Sequence, residues 1–400
     1  MKPLLYLVHR IPYPPNKGDK IRSYNILRYL SQHYDIYLGT FIDNTDDIQY
    51  QDKVRSYCQQ THFEMIKPQL SKLKSLSGLV TGQALSIPYY SSKSMQQWVD
   101  EVIEENNIDT VLAFSSPMAQ FVIAKKELHK VMDFIDIDSD KWRQYSGSHK
   151  GLMSWVYARE ADYLFQYEQE VADKFAASTF VSDKEAEHFK ILSHNSDNNI
   201  SGVSNGIDFS YFNPTLDYEA VYPQDKKVLV FTGAMDYWAN CDAVIWFAEA
   251  VFKKLYQLDN NYQFYIVGSN PSKAVQDLAQ QSGIVVTGRV EDIRPYIAHA
   301  FISIAPLRIA RGIQNKVLEA MAMNKAVVAT HNAMEGIIIN DDIANCVADT
   351  AEGQITIINK LSKNNLAKTL GQSLRTWVKN NYQWSSVLQP LKMLIDDHDE

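Results

Sequence analysis

The stretch Ala305-Pro-Leu-Arg-Ile-Ala-Arg-Gly-Ile-Gln-Asn-Lys-Val-Leu-Glu-Ala-Met-Ala322 decides the fold of the second half of the chain. It follows an apolar run over residues 300–305, which predicts a buried strand. A turn containing a proline and a glycine comes next. From Ile313 onward every fourth residue is apolar, which predicts a helix over about 313–323. The stretch is therefore predicted to be a strand, a glycine turn and a helix.

These three parts together form a typical anion site, because free N–H groups and the positive end of the helix dipole point at one spot. Lys316 adds a positive charge there. Glu319 lies about one helical turn further in, where it could accept hydrogen bonds from sugar hydroxyls. A basic surface loop before an ordinary amphipathic helix would explain the loop equally well.

The composition indicates the broad class of protein. The 400 residues are enough for two ordinary domains, and 46% hydrophobic with 22% charged residues is typical of globular proteins. The net charge of −8 argues against nucleic acid as the main partner. Three scattered cysteines, with no Cys/His cluster, favour a reducing compartment without structural zinc. We find no signal peptide and no apolar window of about 18 residues, so a cytoplasmic protein without a transmembrane helix is expected.

The first half begins with a strand over about 3–8 and a proline-rich turn over 9–20. Gly18 in that turn permits close approach of a ligand, and Arg22 follows in the first helical turn. Further strands alternate with helices, so an α/β fold with a parallel sheet is predicted. These strands are expected over 35–41, 110–114, 131–135 and 177–181, with helices over 118–126 and 151–175 among the connections.

Two further loops follow buried strands in this half, at 115–117 and 136–142. Loops at the carboxyl ends of parallel strands line the ligand crevice. Carboxylates there, such as Asp136 and Asp138, could bind sugar hydroxyls or assist proton transfer. Equally, Asp138 or Ser139 could simply cap the next helix.

The second half of the chain also alternates predicted strands with predicted helices. Glycines end three of its strands, at Gly233, Gly268 and Gly288, and several glycine loops at successive strand ends argue for a nucleotide cleft. The strands are predicted over 228–232, 264–267, 284–287, 301–305, 326–330 and 345–348.

One segment of the first half has a different pattern. Over 66–80, lysines alternate with leucines, and Leu70, Leu73, Leu76 and Leu79 or Val80 share one helical face. Such a helix suits the surface of an anionic membrane. A helix packed on its own domain explains the pattern as well.

The succession of basic loop, "EAMA" at 319–322 and the strand Lys325-Ala-Val-Val-Ala-Thr330 resembles the donor segment of GT-B-fold retaining glycosyltransferases of family 4. The resemblance extends over nearly the whole chain. It is closest to sugar transferases associated with PEP-CTERM/exosortase exopolysaccharide loci. It implies two Rossmann-like domains facing a central cleft: an acceptor-side domain over 1–205 and a donor domain over 206–380. A C-terminal helix over about 381–400 is expected to pack back on the first domain.

The resemblance also implies roles for residues. Glu319 would hold ribose hydroxyls, and the diphosphate would be held by Lys316 with the backbone at Gly312, Ile313, Gln314 and Asn315. Gly233 and Arg308 would lie at the donor site, with Arg289 near the base. Gly18, Asp19, Arg22, Ser115, Ser116 and Asp136 would lie on the acceptor side. The catalytic set would be Glu319, Lys316, Arg311 and Asp138.

Arg311 is the main departure from the family pattern. It replaces the first glutamate of E-x7-E, and the usual Arg/Lys pair is missing from 233–240. A guanidinium donates hydrogen bonds and accepts none. Arg311 is therefore expected to bind the diphosphate or a carboxylate on the donor sugar, unless it is an exposed arginine at the cleft rim.

The predicted function is transfer of a hexose, with retention, from a nucleotide-diphosphate sugar to a glycan or lipid-linked acceptor in exopolysaccharide synthesis. No metal or other cofactor is expected, although Asp136-Ile-Asp138 matches the letters of a D-x-D motif. Peripheral contact with the inner face of the cytoplasmic membrane is expected. A GT-B phosphorylase or epimerase, or a non-catalytic sugar-nucleotide-binding partner, remain alternatives. A Rossmann oxidoreductase is disfavoured, since no G-x-G-x-x-G follows the first strand.

Overall fold

The computed structural model describes residues 1–15, 18–148, 151–194, 199–310 and 313–397, except the side chains of Val80, Ser148 and Leu152. The chain divides into two compact units. Unit 1 comprises Met1–Asn205 together with Val387–Glu400, and unit 2 comprises Gly206–Ser386.

Unit 1 is built on a seven-stranded parallel sheet with the strand order β3-β2-β1-β4-β5-β6-β7. The order reverses between β1 and β4, which makes their carboxyl ends the switch point where ligands bind in such sheets. The strands are β1 (Lys2–Val8), β2 (Tyr34–Ile42), β3 (Gln60–Met65), β4 (Thr110–Phe114), β5 (His129–Ile135), β6 (Ala177–Phe180) and β7 (Ile200–Gly202).

Helices cover this sheet and bury strand residues that are almost wholly apolar; β1, for example, is fully buried from Leu4 to Val8. Such runs are typical of parallel sheets covered on both faces. The helices are α1 (Gly18–Leu30), α2 (Gln51–Arg55), α3 (Pro68–Ser75), α4 (Ser77–Thr81), α5 (Ser86–Tyr89), α6 (Lys93–Glu105), α7 (Asp138–Ser148), α8 (Leu152–Lys174) and α9 (Asp183–Ser193), with 3-10 turns at Thr45–Tyr50 and Ser116–Phe121.

Three details of unit 1 differ from the sequence-based expectation. The helix predicted over 118–126 is only the 3-10 turn Ser116–Phe121. The edge strand β3 and the short β7 were not predicted. Asp138, predicted to lie in a loop or at a cap, is the first residue of α7.

Unit 2 contains a five-stranded parallel sheet with the order β10-β9-β8-β11-β12, which reverses between β8 and β11. Two parallel sheets of this kind, each covered by helices, make both units Rossmann-like. The strands are β8 (Lys227–Thr232), β9 (Tyr262–Val267), β10 (Ile284–Gly288), β11 (Ile302–Ala305) and β12 (Val327–Ala329).

The helices of unit 2 begin with α10 (Trp238–Trp246), which continues through a π-helical turn at Phe247–Phe252 into α11 (Lys253–Leu258). They continue with α12 (Lys273–Asp277), α13 (Arg294–His299), α14 (Asn315–Ala322), α15 (Asp341–Ala344), α16 (Ala351–Leu361), α17 (Leu366–Tyr382) and α18 (Trp384–Val387), with 3-10 turns at Leu278–Gln280 and Asn332–Met334. The strand predicted over 345–348 is wrong, because only one isolated bridge joins Val347 to Ala329.

The last helix, α19 (Gln389–Asp396), belongs to unit 1. Tyr34 at the start of β2 donates a hydrogen bond to the Asp396 carboxylate, and the His129 ring lies 2.8 Å from the carbonyl oxygen of Leu394. These polar contacts attach the end of the described chain to the first sheet.

Candidate functional site

A cavity of about 620 Å³ lies at the switch point of the unit 2 sheet. Its volume suits a small-molecule ligand of nucleotide-sugar size. Three loops that follow β8, β9 and β10 line it, together with the first turn of α14, which follows β11. The lining residues are Thr232, Gly233, Ala234, Val267, Gly268, Ser269, Asn270, Arg289, Val290, Ile293, Asn315, Lys316 and Glu319.

Two glycines let the loops of this unit 2 cavity approach one another. A Cβ on Gly268 would lie 1.7 Å from the carbonyl oxygen of Gly233, which leaves room only for hydrogen. A Cβ on Gly233 would in turn lie 2.8 Å from the Asn240 amide nitrogen and 3.0 Å from Lys316 Nζ. The prediction that glycines at successive strand ends shape a cleft is therefore supported by geometry.

The start of α14 has the features of an anion site. Gln314 is its N-cap residue, with extended backbone, and no side-chain hydrogen bond caps the first turn among the described residues. Asn315 is therefore the first helical residue, two later than predicted. The N–H of Val317 donates to the Gln314 carbonyl oxygen at 2.9 Å, so among the described residues the N–H groups of Asn315 and Lys316 are the ones that face an anion. Ile313 lies before the helix and packs against Gly336 rather than forming the first residue of its apolar stripe.

Lys316 reaches the cavity from this helix start. Its Nζ donates to Asn240 Oδ1 at 2.6 Å and lies 4.3 Å from the centre of the Phe231 ring. Burial lowers the pKa of Lys316 to about 8, although the nearby Glu319 carboxylate opposes the shift. The amine thus remains mostly charged at neutral pH but is poorly hydrated, and an anion in the cavity would compensate for that loss.

Glu319 lies one turn further along α14. Burial raises the pKa of its carboxyl to about 7, against the opposing effect of Lys316. No side-chain hydrogen bond holds this carboxyl within the described part of the chain, so its acceptor oxygens are available to a ligand in the cavity. The side chain is half-buried, so a bound hydroxyl would replace solvent that its carboxyl has partly lost.

The arginines predicted at this site differ in their positions. Arg289 lines the cavity and is exposed, as expected for a side chain near a ligand. Arg308 does not line it; its guanidinium forms a two-pronged ion pair with Asp242 of α10, which includes a 3.0 Å contact from Nε. The predicted place of Arg308 at the donor site is therefore corrected to a structural tie between α10 and the loop after β11. Arg311 and Gly312 lie outside the described residues.

Unit 1 has its own cavity at the switch point, with a volume of about 290 Å³. It is lined by loops that follow β1 and β4 and by α7 and its neighbours. The residues are His9, Arg10, Ser86, Tyr90, Ser115, Pro117, Asp138, Lys141, Trp142, Tyr145 and Leu164. Ser115 and Asp138 thus lie where the sequence placed them, on one cavity.

The cations of this unit 1 cavity are already paired. Lys141 Nζ lies 2.8 Å from Asp136 and 3.2 Å from Asp138. Arg10 lies 3.0 Å from both Asp19 and Asp43. Two cations facing four carboxylates give no excess of positive charge, so the cavity favours a neutral, hydroxyl-rich ligand over an anion.

Asp19 also contacts His9, which sequence analysis did not identify. His9 Nε2 lies 3.2 Å from Asp19 Oδ2, and its ring stacks on Phe114. Burial would raise the pKa of Asp19, but the hydrogen bond from His9 and the charge of Arg10 outweigh it, and the pKa lies well below its ordinary value. Asp19 is therefore a fixed anion that orients two neighbouring side chains.

The prediction that Arg22 contacts an acceptor is wrong. Its side chain is fully buried, and Nε donates to Asp133 Oδ2 at 2.8 Å. Nη1 donates to the carbonyl oxygen of Val203 at 2.7 Å and to Asn205 Oδ1 at 3.0 Å. Arg22 therefore joins α1, β5 and the segment after β7, and offers no surface to a ligand.

Ser116 is likewise enclosed rather than exposed to a ligand. Its hydroxyl lies 3.5 Å from Glu168 of α8, and the Ser139 hydroxyl donates to the same carboxyl at 2.5 Å. Burial raises the pKa of Glu168 to about 8, although these hydrogen bonds oppose the shift. Gly18, at the exposed start of α1, has no heavy atom within 4 Å of an added Cβ, so the structure leaves space there.

The residues that the structure describes contain no group of three or more His, Cys, Asp or Glu side chains arranged to hold a metal ion. None of the described helices is both long enough and apolar enough to cross a bilayer.

Two Rossmann-like units in one chain, with a cavity at a sheet switch point, define the class of GT-B proteins. Residues 226–364, which cover most of unit 2, match the family model described as "Glycosyl transferases group 1". An uncharacterised glycosyltransferase of Methanocaldococcus jannaschii, MJ1069, is 20% identical over 305 residues, which is 71% of this chain and 72% of that protein.

Solved structures share the architecture over the whole length. A glycosyltransferase from Rickettsia africae superposes with a TM-score of 0.64 at 17% identity, over 99% of this chain and 98% of that one. Anabaena Alr3699/HepE, solved in complex with UDP-glucose, gives 0.62 at 13% identity, over 99% and 100%. The fold is GT-B, and the family match in unit 2 supports a glycosyltransferase.

Proposed function

We propose that this chain is a retaining glycosyltransferase that takes a sugar from a nucleotide-diphosphate donor bound in the unit 2 cavity. The acceptor would be a glycan or a lipid-linked sugar in the synthesis of exopolysaccharide or another cell-surface polysaccharide. The observation that carries the proposal is that Lys316 and Glu319 reach one 620 Å³ cavity from a single helix start. A cytoplasmic location, and turnover without a metal, belong to the same proposal.

Lys316 and Glu319 bind different parts of the donor. The diphosphate binds at the first N–H groups of α14 and beside Lys316 Nζ, which supplies a positive charge already oriented by Asn240. Glu319 accepts hydrogen bonds from two neighbouring ribose hydroxyls. Gly233 and Gly268 allow the backbone to approach the donor closely, and Arg289 lies on the side of the base.

The chemical step requires a stabilised leaving group. As the bond between the sugar carbon and the diphosphate oxygen breaks, the electron pair leaves with the diphosphate. The acceptor oxygen bonds to the same sugar carbon, and its hydroxyl proton passes to the departing diphosphate. Lys316 and the start of α14 are fixed beside the position where this charge develops, and such preorganised charges lower the barrier. Arg311 is proposed to add a second cation there, and that role still rests on the sequence alone.

The acceptor is proposed to bind in the unit 1 cavity. Sugar hydroxyls can both donate to Asp138 and accept from Arg10 or Lys141, which suits a cavity whose cations are already paired with carboxylates. Tyr90, Trp142 and Tyr145 contribute aromatic surface for the apolar face of a sugar ring. Anomeric retention is proposed from the sequence resemblance.

Two measurements test the function. A thermal-shift and calorimetry panel of nucleoside diphosphates and their sugars should identify one nucleotide that binds. Turnover of that nucleotide sugar with neutral and lipid-linked saccharides should then give a product whose anomeric configuration NMR determines. Binding without turnover on any acceptor would favour a non-catalytic partner, and no nucleotide binding at all would contradict the proposal.

A further inference from the structure

The two short helices α3 and α4 expose a row of leucines to solvent. The exposed fractions are 54% for Leu70, 67% for Leu73, 52% for Leu76 and 40% for Leu79. An ordinary surface helix of a globular protein buries such residues against the core. A contiguous exposed apolar surface instead marks a site of interaction. We call these four residues the leucine face.

The leucine face is exposed because the segment contacts unit 1 through small residues and carbonyl groups. Ser71 and Gly78, seven residues apart and therefore on one side of the segment, are the positions that are buried. Arg159 of α8 donates to the carbonyl oxygens of Gly78 at 2.6 Å and Gln83 at 3.1 Å. The alternative of a helix packed on its own domain is thus met through Ser71 and Gly78, whereas the leucines take no part in that packing. Val80's side chain lies outside the described residues.

Trp155 extends the apolar surface. It lies four residues before Arg159 on α8, and thus on the same helical face. Tyr163, four residues after Arg159, stacks under its guanidinium at 4.2 Å and lies 3.8 Å from a Cβ added to Gly82, just after α4. This face of α8 therefore runs beside α4. Trp155, near the start of α8, is 58% exposed. Tryptophan is enriched at membrane–water interfaces.

The exposed charges on the segment that carries the leucine face have one sign. Lys67, Lys72 and Lys74 are all exposed, and the sequence contains no Asp or Glu between Glu64 and Asp100. This local excess of positive charge occurs in a chain whose net charge is −8. A second copy of the chain would bring the same lysines together and be repelled. A large, flat partner with an anionic surface and an apolar interior would bind the lysines through its charge and bury the leucines in its interior.

We propose that the leucine face, Trp155 and the three lysines form a docking surface for an anionic lipid bilayer. The leucines and Trp155 enter the boundary between headgroups and acyl chains, while the lysines contact the lipid phosphates. Docking of this kind places unit 1, with its own cavity, at the membrane where a lipid-linked acceptor resides. Vesicle binding itself requires neither donor nor turnover, so it is tested separately from the proposed function.

The first experiment is sedimentation of the full chain with vesicles of phosphatidylcholine alone or mixed with phosphatidylglycerol. The parent should sediment only with the anionic vesicles. Reversing Lys67, Lys72 and Lys74 to Glu should weaken binding at least tenfold, since each lysine near such a surface contributes substantially. Reversing Lys226, Lys363 and Lys379, which are exposed on unit 2, changes the net charge equally and should have little effect.

The second experiment separates lipid from other partners. Leu73→Ser with Leu76→Ser should abolish vesicle binding, whereas Leu216→Ser with Leu258→Ser, at exposed sites of unit 2, should not. Anionic vesicles should shift the tryptophan emission of the parent to shorter wavelength, and Trp155→Phe should remove that shift. Absence of vesicle binding by the parent, or equal loss in the control variants, would overturn the proposal. Self-association without lipid that the leucine substitutions abolish would assign the face to a second copy and also overturn it.

Discussion

Asn240 joins Lys316 to the loop that follows β8: its Oδ1 accepts from Lys316 Nζ at 2.6 Å, and its Nδ2 donates to the carbonyl oxygen of Ala234 at 2.8 Å. Lys316 is thus oriented in the unit 2 cavity by an uncharged side chain. Asn240 does not itself neutralise the charge of Lys316, whereas a carboxylate in its place would compete with a bound diphosphate.

Replacing Asn240 with Ala should weaken binding of nucleoside diphosphates about tenfold. The reason is that Lys316 loses an orienting hydrogen bond, and hydrogen bonds to charged groups contribute about 1.5–3 kcal/mol. Binding of the parent nucleoside, which lacks the diphosphate, should be nearly unchanged in calorimetric titrations. An equal loss for nucleoside and nucleoside diphosphate would instead indicate a collapsed cavity.

Affinity for the donor should be greatest between about pH 7 and pH 8. Below the Glu319 pKa of about 7, the carboxyl gains a proton and accepts ribose hydroxyls less well. Above the Lys316 pKa of about 8, the amine loses its proton and its attraction for the diphosphate. Titrations should use a nucleotide sugar, because a terminal phosphate itself titrates near pH 6 or so.

Two substitutions test which side chain causes the loss of donor affinity at each end of the pH range. Glu319→Gln should remove the acid limb, since an amide does not titrate. Lys316→Arg should remove the alkaline limb, because a guanidinium stays charged. A profile that is flat in the parent, or unchanged in both variants, would contradict the roles given to the two side chains.

Gly268→Ala should abolish nucleotide binding and destabilise unit 2. The added Cβ would lie 1.7 Å from the carbonyl oxygen of Gly233, so the loops after β8 and β9 must separate. Overpacking of this kind costs about 1–3 kcal/mol. Gly147→Ala is the matched control: no heavy atom lies within 4 Å of its Cβ, and alanine in a helix should be neutral or stabilising. Thermal unfolding compares the Gly268→Ala and Gly147→Ala variants. Equal melting temperatures would contradict the close approach of the loops after β8 and β9.

Arg22→Ala should lower the free energy of unfolding by about 3–5 kcal/mol, because it leaves Asp133 charged and buried without its partner. Arg55→Ala removes an exposed ion pair with Asp52 and should cost less than about 1 kcal/mol. Urea unfolding measures both. Similar small losses would show that Arg22 is not the structural tie described above.

The sequence predicted well those features that depend on neighbours along the chain. Lys316 and Glu319 were identifiable because both follow a buried strand and a turn on one helix. Asn240 was not, since it is 76 residues from Lys316 and becomes relevant only when the sheet brings β8 beside β11. Arg22 was misassigned for the same reason, because Asp133 is 111 residues away.

Weak local patterns explain the other differences. The edge strand β3 is only partly buried and lacks the apolar run that identified the central strands. The segment 345–348 has that run, but its pairing with β12 amounts to one bridge. The pattern of the leucine face suited a membrane-surface helix and a helix packed on its own domain equally, and the burial of Ser71 and Gly78 with the contacts of Arg159 showed which side faces unit 1.

Calorimetric titration of Glu319→Gln with the nucleoside diphosphate that the parent binds tests the central claim most directly, since the donor assignment depends on this carboxyl. The account predicts at least a tenfold loss of affinity above pH 7, with no change in melting temperature beyond that of Glu249→Gln, an exposed control in the π-helical turn. Unchanged affinity in Glu319→Gln would contradict it.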